Sequence, residues 1–368
     1  MKYYIIAGEA SGDLHGSNLI KEIKKKDSNA IIRCWGGDLM KSEGATIVKH
    51  IKNLAFMGFW EVILNLRSII NNLSFCKKDI ILFKPDTIIY IDYPGFNLRI
   101  AKWAKNYSFN NQYYISPQVW AWKENRVKIL KKYIDNLYVI LPFEKNYFKK
   151  THSLNVEYVG HPLVEHLLKL KKDPSFIKKN NFDQQKDIIT LMPGSREQEI
   201  KKILPIFIDV IKNFKSYQFA IAAVPSIDSN FYLSLMKKTN IKIIYNNTFN
   251  LLTHSKAALV TSGTATLETA LLKIPQLVCY KTSPISYFIA KRLVKLKYVS
   301  LVNLILNKEV VKELIQKNCN VKKITEELKD LIMKKNESII KDYEKLIKTL
   351  GNNKASQKTS QLIIDSIK

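Results

Sequence analysis

No two of the four cysteines in this sequence, Cys34, Cys76, Cys279 and Cys319, are spaced as CxxC. Neither a zinc knuckle nor a disulfide framework is offered, and all four read as reduced packing residues. No apolar run approaches the roughly 18 residues of a membrane-spanning helix. The apolar run in MKYYIIAGEASG is too short for a signal-peptide core, so the expected location is cytoplasmic. No low-complexity run and no internal repeat is visible. The turn Gly8-Glu9-Ala10-Ser11-Gly12-Asp13 is not a GxGxxG fingerprint and lacks the GK[ST] of a P-loop. Without zinc-finger spacing, an RNP-like signature or a basic region with heptads, no nucleic-acid partner is expected. Acidic residues are scarce, 32 Asp+Glu against 59 Lys+Arg, a formal net charge of +27. Part of that excess is a Lys-, Asn- and Ile-heavy habit giving a solvated face. The rest implies a strong positive field and an anionic partner, for which a membrane surface suits: each Lys or Arg near one contributes about 1 kcal/mol.

What is present is ample apolar content, 46% of 368 residues, too long a chain for one comfortable core. Buried strands are expected at Lys2 to Ala7, Ile31 to Trp35, Thr87 to Ile91, Tyr113 to Ser116, Asn136 to Leu141 and around Val156 to Val159, with helices between them. The Lys-rich segment 167–187 reads as a domain boundary. Alternation restarts at Ile188 to Leu191 and continues through 219–224, 241–245, 257–260 and 277–280. The expected fold is α/β, two Rossmann-like domains facing across a cleft: residues 1–165, residues 185–340, and a C-terminal helix, 341–368, packing back on the first domain.

The stretch Ala257 to Pro275 has the form of a phosphate cradle. Its strand stops at Thr261-Ser262-Gly263-Thr264, and the helix that follows offers unpaired N–H groups, partial positive charge and hydroxyls. Glu268, one turn in, can accept from a ribose diol; the alternative is an ordinary strand-turn-helix with a hydroxyl N-cap. Gly194 and Ser195 free the backbone at another helix start, where Arg196 can fork onto a diphosphate. Asp92 ends a buried strand, where open parallel sheets place their ligands; it is either a general base or a helix cap, with Asn97 the more natural cap. Trp120 and Trp122, beside Lys123 and Arg126, form either a core corner or a cleft wall facing anionic groups. The apolar segment 54–83, with Met57, Phe59 and Trp60, is either a helix buried on two sides or a patch for acyl chains and the membrane interface.

In this order the motifs GEASGD (8–13), Met57-Gly58, Lys84-Pro85-Asp86, Ile91-Asp92 with Phe96-Asn97, SPQVWAW (116–122), LPFE (141–144), VGHP (159–162), PGSR (193–196), SGTATLE (262–268) and ELIQ (313–316) cover nearly the whole chain. The ordered set resembles the lipid-A-disaccharide synthase family, inverting glycosyltransferases of the two-Rossmann GT-B type. The resemblance implies transfer from UDP-2,3-diacylglucosamine to the 6-hydroxyl of 2,3-diacylglucosamine 1-phosphate, giving lipid A disaccharide 1-phosphate and UDP. By that resemblance Asp92 and Arg196 are catalytic. Gly194, Ser195, Arg196, Ser262, Gly263, Thr264 and Glu268, with Asn303 and Gln316, bind UDP. Glu9, Ser11, Met57, Phe59, Trp60, Trp120 and Trp122 meet the acceptor and its acyl chains. No Asp-x-Asp pair stands ready for a divalent metal, so no metal or other cofactor is expected. The family works at the cytoplasmic face of the inner membrane, whose anionic surface is the expected further partner; the oligomeric state stays open. Gly95 stands where the family usually carries an acidic residue, and Val302 where it tends to have proline. The rival readings are another GT-B UDP-sugar transferase acting on a membrane lipid, and a non-catalytic binder of anionic lipid or nucleic acid.

Overall fold

The computed structural model describes residues 1–53, 66–236, 239, 241–283, 297–334, 336–351 and 354–367. Met57, Phe59 and Trp60 lie outside the described residues. The chain divides into two compact units, Met1–Glu165 with Leu350–Lys368, and His166–Thr349.

The first unit holds a parallel sheet of β1 (Lys2–Ala7), β2 (Ile31–Gly36), β3 (Thr46–His50), β4 (Thr87–Ile91), β5 (Asn110–Tyr114), β6 (Asn136–Val139) and β7 (Glu157–Tyr158), in the order β3-β2-β1-β4-β5-β6-β7. Tyr3 to Ala7 and Ile88 to Ile91 are fully buried. Such near-continuous apolar strands belong to a parallel sheet covered on both faces by helices. The strand order reverses direction between β1 and β4, so the loops leaving these two strands diverge and open a crevice at their carboxyl ends. Ala7 pairs with Ile91, which brings Gly8-Glu9 and Asp92 off the sheet side by side.

The second unit repeats the plan with β8 (Ile188–Met192), β9 (Gln218–Ala223), β10 (Lys242–Tyr245), β11 (Ser255–Thr261), β12 (Gln276–Tyr280) and β13 (Glu313–Ile315), in the order β10-β9-β8-β11-β12-β13. Its reversal falls between β8 and β11, where Val260 pairs with Met192. The turns 193–196 and 262–264 therefore leave neighbouring strands at the same edge.

Two expectations need correction, and one strand is new. Segment 167–187 is not a bare linker: Phe176 and Phe182 are buried against Ile188, Ala220 and Leu251, so the segment folds onto the second unit. The C-terminal region is not one helix from 341. Glu337–Leu350 ends at Gly351, whose φ of 72° stops it, and a separate helix, Ala355–Ile367, follows. Only the latter packs within the first unit, where Ile363 joins Leu19, Ile20 and Ile23 of the helix Ala10–Lys26. Edge strand β3, with half-exposed side chains, was not anticipated from TIVKH.

Candidate active site

In the first unit the crevice is built on a distorted strand end. Asp92 and Tyr93 both adopt left-handed backbone, φ 44° and 48°, a conformation that non-glycine residues hold only when surroundings enforce it. Here the Asp92 N–H donates to the Tyr114 carbonyl at 3.2 Å. Its own carbonyl accepts from the Tyr113 hydroxyl at 2.6 Å and the Asn97 amide at 2.7 Å. Asn97 is thus fully buried and occupied with the strand end; the helix Pro94–Lys105 is N-capped by Tyr93, not by Asn97. The Tyr93 ring lies against Gly8, where a Cβ would come within 2.4 Å of it, so no side chain fits at 8.

This frame holds the Asp92 carboxyl partly buried. Burial, then the negative charge of Glu9, raises it to about 6; the Tyr93 N–H and the Arg126 charge oppose the shift. A carboxylate tuned toward neutrality at a crevice suits proton abstraction from a hydroxyl. Glu9 is the N-cap of the helix Ala10–Lys26, and Ser11 is exposed on its first turn. Asp13 of the same motif is structural. Buried, it accepts from the N–H groups of Gly37, Leu39 and Met40 and so caps the next short helix, Asp38–Ser42.

The two tryptophans separate in role. Trp120 is half-buried, donates its indole N–H to Glu144 at 3.0 Å and packs edge-on against Phe143 at 4.9 Å. Trp122 is 45% exposed. Glu144 is buried, and burial raises its carboxyl to about 7; its other oxygen accepts from the N–H groups of Ile140 and Leu141. Glu144→Gln turns an amide N–H₂ toward either the indole donor or those backbone donors. It is expected to cost about 1–3 kcal/mol in urea unfolding, with a smaller further loss when Trp120→Phe is added, because the conflicting donor is then gone.

In the second unit Gly194 has φ 127°, and a Cβ there would meet Glu199 at 2.8 Å. Ser195 and Arg196 are exposed, and Arg196 is the N-cap of the helix Glu197–Ile211. The Glu199 carboxylate folds back to this helix start, accepting from the Ser195 N–H at 3.1 Å and pairing with Arg196 at 3.6 Å. An anion thus already occupies the place where N–H donors and a guanidinium converge. The sequence places Glu199 on the first turn of this helix but assigns it no role. Tyr280, at the end of β12, is raised by burial and by Glu199, with Arg196 opposing, which places its hydroxyl in the same field.

On the neighbouring strand Gly263 caps the helix Thr264–Leu271 and leaves open space, with nothing within 4 Å of a Cβ position; Thr264 is exposed beside it. The Ser262 hydroxyl donates to the Val299 carbonyl at 3.1 Å, leaving its lone pairs free. Among the described residues Glu268 has no cation beside it, and burial raises its carboxyl to about 7. At the same edge the Thr261 hydroxyl and the Gln316 amide nitrogen are buried without a partner among the described residues. Gln316 is held in left-handed backbone, φ 52°. Unsatisfied buried polar groups of this kind mark where a polar ligand fits. Asn303 does not belong with them. It is fully buried; its amide nitrogen donates to the Val311 carbonyl and Glu313, and its oxygen accepts from the Val310 and Val311 N–H groups. With both ends saturated, it orders the 300–313 turn and has nothing to offer a nucleotide.

Residues 3–365 match the family model described as lipid-A-disaccharide synthetase. A lipid-A-disaccharide synthase of Coxiella burnetii (strain CbuG_Q212) is 34% identical over 364 residues, covering 98% of this chain and 96% of that protein. One from Francisella philomiragia is 35% identical over 362 residues, covering 94% of each. In fold, the chain is similar to the glycotransferase of kitacinnamycin, TM-score 0.66 at 9% identity over 100% of this chain and 99% of that one. It is likewise similar to a UDP-GlcNAc 2-epimerase from Neisseria meningitidis, TM-score 0.63 at 14% identity, with coverage of 100% and 99%. Two Rossmann-like units, each with charged side chains at its topological reversal, and matches along the whole length agree: the chain belongs to the lipid-A-disaccharide synthase family, glycosyltransferases of lipid A biosynthesis that use a UDP-sugar and a lipid acceptor.

Proposed function

We propose that the chain transfers the sugar of UDP-2,3-diacylglucosamine to the 6-hydroxyl of 2,3-diacylglucosamine 1-phosphate, with inversion and without a metal. The observation that carries the reading is the pinned strand end presenting Asp92, a carboxyl raised to about 6 beside Glu9, in a chain of this family. Asp92 takes the proton from the acceptor hydroxyl as its oxygen attacks the anomeric carbon. The bond to UDP breaks, and the diphosphate leaves against Arg196, the Ser195 N–H and the helix start at Ser262, Gly263 and Thr264. Glu268 accepts from the ribose hydroxyls; Gln316 and Thr261 supply the remaining donors on the nucleotide side.

The acyl chains are assigned to the apolar stretch that begins with Met57, Phe59 and Trp60 and runs into the helix Leu66–Phe83. On that helix Ile70, Phe75 and Leu82 are exposed, Leu82 at 81%. Among the described residues no helix is long and apolar enough to cross a membrane. Association is proposed to be peripheral, on the anionic cytoplasmic face of the inner membrane, driven by the net charge of +27 together with these exposed apolar side chains.

The testing experiment is a product assay with purified protein, both acylated substrates in detergent, and a chelator in place of added metal, with UDP-N-acetylglucosamine as the alternative donor. Disaccharide from the acylated donor alone is the expected result. UDP released only from the simple sugar donor would instead favour another UDP-sugar transferase on the same fold. Because the Glu199 carboxylate stands where the diphosphate is proposed to bind, Glu199→Gln is expected to tighten UDP by roughly two- to fivefold in calorimetric titration.

A further inference from the structure

The segment leaving β5 carries two cations, Lys123 and Arg126, that pair with no acid among the described residues. Lys123, in left-handed backbone with φ 54°, places its ammonium 4.2 Å from the centre of the exposed Trp122 ring, and the Arg126 guanidinium lies 5.8 Å from the same ring. The segment is firmly framed. Trp120 is tied to Glu144, the Ala121 and Trp122 N–H groups donate to the Gln118 carbonyl, and the Arg126 N–H donates to the Lys123 carbonyl. The nearest acid in sequence, Glu124, is turned away to His152 at 3.2 Å and the Tyr147 hydroxyl. Among the described residues the Arg126 side chain makes neither an ion pair nor a hydrogen bond. Burial lowers the Lys123 ammonium, and the charge of Arg126 lowers it further. Two cations held together by a rigid turn and one aromatic face are a poor arrangement for the empty protein and a good one for a dianion.

Their position says which dianion. β4 and β5 are adjacent, with Ile91 paired to Tyr114, so Asp92 and the segment after Tyr114 leave the same edge of the sheet. Asp92 and Arg126 each shift the other's titration without touching as an ion pair. In the acceptor the reacting hydroxyl is on C6, carried by C5, and C5 is joined to C1 through the ring oxygen, so a group on C1 lies only a few bonds from the hydroxyl that Asp92 deprotonates and within reach of a segment leaving the adjacent strand.

We propose that Arg126, with Lys123 beside it, forms the subsite for the phosphate monoester of the acceptor, across the ring oxygen from the carbon that carries the hydroxymethyl group Asp92 activates. This rests on the glycosyl transfer proposed above. The arrangement selects a phosphorylated acceptor and fixes its orientation: with the phosphate on Arg126, the C6 hydroxyl, on the same side of the ring as the ring oxygen, is the one turned to the carboxylate.

The test compares acceptor 2,3-diacylglucosamine with and without its 1-phosphate, using wild type, Arg126→Gln, Arg126→Lys and Lys123→Ala. Wild type is expected to prefer the phosphorylated acceptor. In Arg126→Gln the KM for that acceptor is expected to rise about ten- to hundredfold, and the kcat/KM ratio between the two acceptors to collapse toward one. Arg126→Lys restores part of the ratio, and Lys123→Ala shifts it the same way by less. An Arg126→Gln enzyme that loses rate equally on both acceptors, its ratio intact, would overturn the subsite and leave Arg126 as support for Asp92. Disaccharide from neither acceptor with wild type would overturn the glycosyl transfer itself and the subsite with it.

Discussion

Asp92→Asn is expected to lower kcat by about 10²–10⁴-fold while leaving UDP affinity at the wild-type value, because the amide keeps the shape and cannot accept the acceptor's proton. The wild-type enzyme should also show its acid limb here. A base works only when ionised, so log kcat/KM is expected to fall with decreasing pH through about 6, the range to which burial and Glu9 raise this carboxyl. The residual activity of the variant should lack that limb. Stability moves the other way. The raised value means that the fold tolerates the neutral form better than the ionised one. The favourable contribution is complete below the ordinary carboxylate range and is lost as pH rises through about 6. Asp92→Asn, neutral at every pH, is therefore expected to melt at or above the wild-type Tm at pH 8, with the difference vanishing near pH 4. Substantial turnover in Asp92→Asn would remove the residue from the role of base. A lowered Tm at pH 8 would say that the side chain supports the fold.

Arg196→Ala carries the second large effect. Its guanidinium is exposed at the start of the helix Glu197–Ile211 and, among the described residues, pairs only with Glu199, itself on the first turn. The fold loses little without it, so thermal unfolding should be unchanged. The departing diphosphate loses a bidentate donor at the moment its charge grows. The expected cost is about 10²–10³-fold in kcat/KM, shared between weaker UDP binding and slower chemistry, with Arg196→Lys in between because a point charge cannot fork onto two oxygens. Wild-type kinetics in Arg196→Ala would shift the diphosphate to the Ser262-Gly263-Thr264 turn alone. The experiment reads both UDP titration and single-turnover rate, so binding and chemistry separate.

Both residues were legible in the sequence because each sits where a short apolar run stops: Ile88 to Ile91 before Asp92, Ile188 to Leu191 before the PGSR turn. Parallel strands buried on both faces leave an unmistakable apolar signature, and their ends are where ligands meet such sheets. Strand order was not legible, since it depends on long-range pairing that no local pattern encodes. With it came the finding that Glu9 and Asp92 are neighbours, and likewise the turns at 194 and 263. The hydrogen-bonding fate of polar side chains was equally hidden. Asn303 and Gln316 looked alike as nucleotide contacts; one is saturated inside its turn and the other has an amide nitrogen left over. Glu199 was given no role because a charge on the first turn of a helix reads as solvated until its surroundings are known, and Arg126 was legible only as part of a core corner or a cleft wall. Phe176 and Phe182 were masked by the lysines around them, though two aromatics in a polar stretch were the available sign that it packs.

The helix Ala355–Ile367 gives this chain an unusual order of assembly. It completes the first unit: the Ser356 N–H donates to Glu165 across 191 residues, and Gln112 of β5 reaches Ser366. A ribosome making the protein therefore delivers the whole of the second unit before the last piece of the first. The ordinary vectorial sequence, in which the leading domain is finished while the trailing one is still emerging, is reversed here. Until those final residues are translated, Leu19, Ile20 and Ile23 lack the Ile363 side chain that packs against them, and the nascent first unit waits with an apolar seam open.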